Sequence, residues 1–214
     1  MTFIISTTAS AGYRSVLDYC LPSWYKNSGA SRIDIHLHDN RRGFGLTWQY
    51  LDNIITRCER MRDAVHDANG RKLLLMDCDC LVLRNLAEGF SNSRPISVAH
   101  WPEINMGVLF FNMELNWPFD EFIDEFVDKA TRRCRMLMQV SPRKVKQHST
   151  DQVIMIELLL ARETAVHKLD GKIWNYRYSV RTTKTELDKY KAEMRVLHLR
   201  VRTTKPEFFP RLPL

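Results

Sequence analysis

The sequence predicts an α/β fold with a mostly parallel central sheet flanked by helices. Three observations carry this. Strand-like apolar runs alternate with helical stripes in the order β-α-β-α-β up to Met76, a pattern that requires right-handed crossovers between parallel strands. The third run, Leu73-Leu74-Leu75-Met76, is continuously apolar, as a strand covered on both faces must be. The chain has 214 residues, 44% of them apolar and 27% charged, enough for a sizeable core in a single domain.

Taken in order, Phe3–Ser6 is a first strand running into a polar Thr7-Thr8 loop. Tyr13, Val16, Leu17, Cys20, Leu21 and Trp24 recur at spacings of three and four, which gives an amphipathic helix. Ile33 to His38 alternates apolar and polar as a second strand, closed by Asp39-Asn40. Leu46, Tyr50, Leu51, Ile54, Ile55, Cys58 and Met61 form a second helical stripe, and Asn69-Gly70 breaks it. After the buried third strand, Ile96–His100 and Met106–Phe111 read as strands with little between them. A long helix near 118–138 buries Phe119, Phe122, Ile123, Phe126, Val127, Ala130 and Cys134, with acids on its other face near the N-terminus. Residues 141–149 form a basic loop, Thr150 caps a helix over Asp151–Ala161, and Ala165–Leu169 and Val196–Leu199 are late strands. No internal repeat or linker divides residues 1–214.

Composition excludes several classes. With 8 Gly and 8 Pro the chain is neither collagen-like nor low-complexity. No apolar run reaches the ~18 residues of a membrane span, and Met1–Ser6 lacks the basic region and long apolar core of a signal peptide. Five scattered cysteines read as reduced thiols, so the expected location is the cytoplasm. The sequence has no G-x-x-x-x-G-K-S/T, G-x-G-x-x-G or G-x-S-x-G, which removes the P-loop, dinucleotide and serine-hydrolase readings.

Asp77-Cys78-Asp79, at the carboxyl end of the buried strand, is where open α/β sheets place their ligands. On extended backbone Asp77 and Asp79 point one way and Cys78 and Cys80 the other. Two carboxylates there make a hard oxygen site for Mn²⁺ or Mg²⁺, which neutralises the charge of a leaving diphosphate. A Cys78–Cys80 zinc pair has no second cysteine pair to complete it.

The stretch from Lys72 through Asp77-Cys78-Asp79 to Asn85-Leu86 resembles the core signature of the GT-A glycosyltransferases, Rossmann-like nucleotide-diphospho-sugar transferases. It is most similar to glycosyltransferase family 8, the glycogenin and lipopolysaccharide galactosyltransferase group. Other pieces follow in the family's order over roughly residues 3–206. Thr7, Thr8 and Tyr13 resemble its first-strand loop, which cups the nucleotide base, with Asp39 a further nucleotide contact. Asn105-Met106-Gly107-Val108 resembles its Asn-x-Gly-Val strand beside the donor sugar, and Asp151-Gln152 its Asp-Gln helix start. His198 followed by Lys205-Pro206 resembles its closing His…Lys-Pro, although the intervening glycine is missing and Glu207 replaces the usual aromatic.

The resemblance implies a metal held by Asp77, Asp79 and His198, and diphosphate charge offset by Lys205 and Lys72. It also implies Asp151, Gln152 and Asn105 at the sugar, and a nucleotide-diphosphate sugar, UDP-sugars foremost, as donor.

Charge points to the acceptor. Residues 1–131 carry 13 Lys+Arg against 17 Asp+Glu, and residues 132–214 carry 19 against 8. The basic C-terminal third includes Arg132, Arg133, Arg135, Arg143, Lys144, Lys146, Arg177, Arg181, Lys184, Arg200 and Arg202, with Trp174, Tyr176 and Tyr178 interleaved. Cations with stacking side chains suit a polyanionic acceptor, with a hydroxymethylated base in DNA as a specific candidate. His100-Trp101 offers another stacking surface. The alternatives are transfer to lipopolysaccharide core or another glycan, a non-catalytic nucleic-acid-binding protein on the same scaffold, and a nucleotidyltransferase. The last shares the metal logic but would consume a nucleoside triphosphate.

Overall fold

The computed structural model describes residues 2–38, 48–101, 103–139, 150–178, 182 and 184–199. The central sheet has six strands in the order β2-β1-β3-β6-β5-β7. These are β1 (Ile4–Ser10), β2 (Arg32–His38), β3 (Leu73–Met76), β5 (Ile96–His100), β6 (Ile104–Phe111) and β7 (Val166–Asp170). Five run in one direction; β6 is antiparallel to both of its neighbours. A second sheet, β4-β9-β8, consists of Cys80–Val82, Val196–His198 and Tyr176–Arg177. The helices are α1 (Arg14–Asn27), α2 (Trp48–Ala68), α3 (Phe119–Met138), α4 (Thr150–Leu160), α5 (Gly171–Trp174) and α6 (Lys184–Lys191).

Strand alternation divides the interior into two cores. On one face of the main sheet, Leu73, Leu75, Leu109 and Phe111 pack with α2, α3 and α4; on the other, Leu74, Met76, Val108 and Phe110 pack with α1 and the second sheet. The uninterrupted apolar run of β3 is thus explained by burial on both sides. Asn69 and Gly70, both at positive φ (47° and 77°), turn the chain from α2 into β3, a conformation that asparagine and glycine adopt most readily.

The first strand does not stop at Ser6. Thr7 to Ser10 continue it in a seven-residue parallel ladder with β2, whose backbone hydrogen bonds satisfy a polar stretch that hydropathy alone reads as loop. Residues 77–79 form a turn rather than extended chain, with the Cys80 N–H donating to the Asp77 carbonyl at 3.3 Å. The short strand β4 follows at once and is unmarked in the sequence, because three buried residues carry no period. Its partner β9 lies far down the chain, pairing Cys80 with His198.

Candidate active site

β1, β2, β3, β5 and β7 all end on one edge of the main sheet. An open cleft of about 300 Å³ lies at that edge, against the ends of β1, β2 and β3. Its floor is the Asp77–Asp79 turn. The two carboxylates converge on one imidazole: His198 Nε2 lies 3.1 Å from Asp79 Oδ1 and 3.7 Å from Asp77 Oδ2. The turn, not strand alternation, produces this convergence. It also corrects the expectation that Cys80 faces away, since Asp79, Cys80 and His198 each offer a ligand atom within 4.8 Å of the others.

His198 arrives through β9. Antiparallel pairing sets it opposite Cys80, and the Leu199 N–H donates to the Asp79 carbonyl at 2.9 Å. Its Nδ1 faces Asn175 Oδ1 at 3.2 Å, a contact that fixes the ring so that Nε2 looks into the cleft. Burial pulls the His198 pKa down, but the Asp79 charge, its hydrogen bond and Asp77 outweigh this and hold it above the ordinary value. The buried thiols of Cys78 and Cys80 are pushed well above their ordinary value, first by burial and then by the neighbouring carboxylates. They remain thiols, poor metal ligands beside ionised oxygens.

Gly107 makes the cluster possible. A Cβ there would stand 2.9 Å from both Asn105 Oδ1 and His198 Nδ1, and 3.0 Å from Asn175 Nδ2. The Gly107 N–H donates to Asn105 Oδ1 at 2.6 Å, whereas the buried Asn105 Nδ2 has no hydrogen-bond partner. Asn105 therefore stands behind Gly107, adjoining His198, and does not line the cleft wall.

The opposite wall belongs to α2 and α4. Asp151 sits in the first turn of α4, accepts from its neighbour's N–H (Gln152) at 2.9 Å, and is buried. Gln152 lines the cleft and donates from Nε2 to the Ile104 carbonyl at 3.5 Å. Arg57 joins the walls: its guanidinium lies 2.5 Å from Asp77 Oδ1 and 3.4 Å from Asp151 Oδ2. Arg57 is absent from the sequence reading. Its signal was present, because Tyr50, Asn53, Ile54 and Arg57 share one helical face and all four line the cleft. Asn175 is equally hidden, because it stands between Trp174 and Tyr176 in an aromatic stretch.

Thr8 and Tyr13 line the cleft near the end of β1, and Thr7 is buried beside it with its hydroxyl unpartnered. Burial, with Asp79, Cys78 and Asp77 nearby, raises the Tyr13 pKa to about 12, so the phenol stays protonated. His38 closes β2 and also lines the cleft. Lys72 is a correction. It precedes β3, at the strand's other end, about 16 Å from Asp77 by strand rise, and it pairs with Glu114. Trp174 and Tyr176 are also corrected, being buried in the second core instead of presented to an acceptor. Asp39 and Lys205 lie outside the described residues, as do Arg143, Lys144, Lys146, Arg181, Arg200 and Arg202.

Solved structures share this fold. A glycosyltransferase involved in glycosylation of the major capsid of PBCV-1 aligns over 94% of this chain and 95% of its own, with a TM-score of 0.59 and 12% identity. Mouse xyloside xylosyltransferase 1 aligns over 96% and 100%, with a TM-score of 0.55 and 12% identity. The fold is that of the GT-A glycosyltransferases. The glycosyltransferase GlyE of Streptococcus pneumoniae TIGR4 aligns over 93% of this chain at a TM-score of 0.57 and 13% identity, and this chain spans 54% of its length. No family model and no curated sequence matches the chain. The likeness concerns the GT-A fold, and the closer resemblance to glycosyltransferase family 8 rests on the sequence motifs alone. Among the described residues no helix is long and apolar enough to cross a membrane.

Proposed function

We propose that this protein is a divalent-metal-dependent glycosyltransferase that moves a sugar from a nucleotide-diphosphate sugar, a UDP-sugar foremost, to an acceptor hydroxyl. The observation that carries this is the convergence of Asp77, Asp79 and His198 in a cleft at the carboxyl edge of a GT-A sheet. The donor set fits a hard cation: Asp79 and His198 lie together, Asp77 faces the same imidazole, and the nearby Cys80 sulfur is held as a buried thiol. Asp79, His198 and Asp77 would hold Mn²⁺ or Mg²⁺, which supplies charge neutralisation for a departing nucleoside diphosphate.

The protein's own groups do the rest. Asn175 orients the His198 ring. Arg57 bridges Asp77 and Asp151 and holds them apart across the cleft. Gln152, tethered to Ile104, and Asp151 face the sugar, where fixed dipole and charge favour positive character at the anomeric carbon. Thr8 and Tyr13 take the nucleoside side, with Thr7 behind them and Asp39 as the further contact. Lys205 is assigned to the diphosphate, and Asn105 supports the donor-sugar wall through Gly107.

The acceptor in this reading bears negative charge. Arg132, Arg133 and Arg135 on the last turns of α3, just before the Asp151–Gln152 wall in sequence, support it. A hydroxymethylated base in DNA is the nucleic-acid form. Binding of short duplexes over a salt series tests it: affinity that falls steeply with salt supports it, and absent or salt-independent binding removes it.

The donor test is a thermal-shift screen of nucleotide sugars with and without Mn²⁺. A true donor at a hundred-fold excess over its Kd stabilises by ~2.7 kcal/mol, raising the Tm of a chain this size by about 5–10 °C, and only with the metal. No shift from any nucleotide sugar would refute the assignment. A metal-dependent shift by nucleoside triphosphates alone would favour the nucleotidyltransferase.

A further inference from the structure

Trp101 is the one large aromatic among the described residues left strongly exposed at the carboxyl edge of the main sheet, at 45%. The other exposed aromatic, Tyr25, lies in the last turn of α1, toward the opposite edge. Trp101 follows directly on β5 and leads toward β6, and its N–H donates to the Glu103 carbonyl at 3.0 Å.

Two chains of contact tie this ring to the reaction cleft. Its neighbour His100 pairs in register with Ile104, whose carbonyl receives the Gln152 amide, so the ring's backbone lies within roughly 10 Å of the cleft wall by strand spacing. On its other side Trp101 packs against Gly171, where a Cβ would stand 2.9 Å from the Trp101 Cβ and backbone N. Gly171 opens α5, and its carbonyl accepts the N–H of Asn175, the residue that faces His198. The platform is therefore braced between the Gln152 wall and the His198 support.

A cation comes with it. Lys172 Nζ lies 5.0 Å from the Trp101 ring centroid and 5.4 Å from that of Tyr190, and Lys189 Nζ lies 5.4 Å from the latter. An indole with an ammonium over its ring and nearly half of the residue in water offers apolar area beside positive charge.

We propose that Trp101 and Lys172 form an acceptor subsite that stacks one pyranose ring of an anionic glycan, with Lys172 meeting its carboxylate or sulfate. This rests on the glycosyltransferase reading and names the acceptor class within it. One exposed ring suits one sugar, whose C–H face is apolar and whose rim is polar. A single-stranded nucleic acid would call for successive aromatic faces along a basic track, and no second exposed ring accompanies Trp101 among the described residues.

The test measures binding of the full chain, with Mn²⁺ and UDP present, to three probes: a uronic-acid-bearing tetrasaccharide, a neutral tetrasaccharide of the same length, and a hydroxymethylcytosine duplex. The subsite predicts preference for the acidic tetrasaccharide. It predicts a ten-fold or greater loss in Trp101→Ala, recovery to within about three-fold in Trp101→Phe, and loss of the acidic-over-neutral preference in Lys172→Gln. Unchanged glycan affinity in Trp101→Ala, absence of glycan binding by the wild type, or preference for the duplex would each overturn it. The Tm rise given by UDP and Mn²⁺ is read in parallel for every variant. Its absence in the wild type would defeat the glycosyltransferase reading, while the glycan arm still decides the subsite. Its loss in Trp101→Ala would assign the ring to the donor site and defeat the proposal.

Discussion

The two ends of strand β3 each carry a cation against carboxylates, and they are not equivalent. At the beginning, Lys72 meets Glu114, one charge against one, with Glu114 more than half exposed to water. At the end, the single guanidinium of Arg57 is shared by Asp77 and Asp151, and Asp79 adds a third carboxylate facing the His198 imidazole. The first pair is complete. The second cluster gathers three carboxylates around one guanidinium and one imidazole in a cleft, an arrangement that a bound cation would stabilise. A closed ion pair does not mark a site; carboxylates gathered at an opening do.

The contrast can be broken experimentally. The largest effect is expected from Asp79→Asn, which should lower transfer on the order of 10³-fold. Chelation of the wild type should do the same and be reversed by added Mn²⁺, measured as sugar release from the donor. An Asp79→Asn enzyme with near-normal turnover would sink the metal assignment. Arg57→Ala comes next. With Asp77 and Asp151 deprived of their shared cation, kcat/KM should fall about a hundred-fold. Because Arg57 is about a third exposed, the stability cost seen in urea unfolding should stay near 1–2 kcal/mol.

Gly107→Ala sharpens the comparison from the supporting side. The new methyl crowds Asn105, His198 and Asn175, so metal affinity from a Mn²⁺ titration should weaken about ten-fold or more while the fold survives. Smallest is Lys72→Met at the complete end of the strand. Volume is kept, and a pair with one exposed partner contributes about 1 kcal/mol at most, so unfolding should shift little and turnover should be unaltered. A large loss of turnover there would mean that the two ends do not differ in role.

How far the site was legible from residues depends on the range of the interaction that builds it. The Asp-Cys-Asp segment was visible because it abuts an apolar run whose length and flanks mark a buried strand. Asp151 and Gln152 were visible as a helix start. Arg57 was not, since a cation on a helix reads as solvated until the strand beside it is known. The extension of β1 beyond Ser6 escapes the sequence because Thr7 and Thr8 are polar, and the β2 ladder that satisfies their backbone is invisible locally. The expectation about Cys80 failed because alternation assumes extended chain, and the residues before it turn.

The sequence by itself determined the order of the main-sheet strands and of helices α1 to α4, the strand buried on both faces and the acids at its end, because periodicity and hydropathy act over a few neighbouring residues. The family resemblance named His198, but tertiary structure decided how it meets the carboxylates. β9 pairs with β4 across 118 positions of chain, and the register of that pairing sets imidazole against carboxylate. It also left Trp101 in water while burying Trp174, two tryptophans of the same intrinsic hydrophobicity. Packing against distant segments sets the exposure of each ring, and no local pattern encodes that.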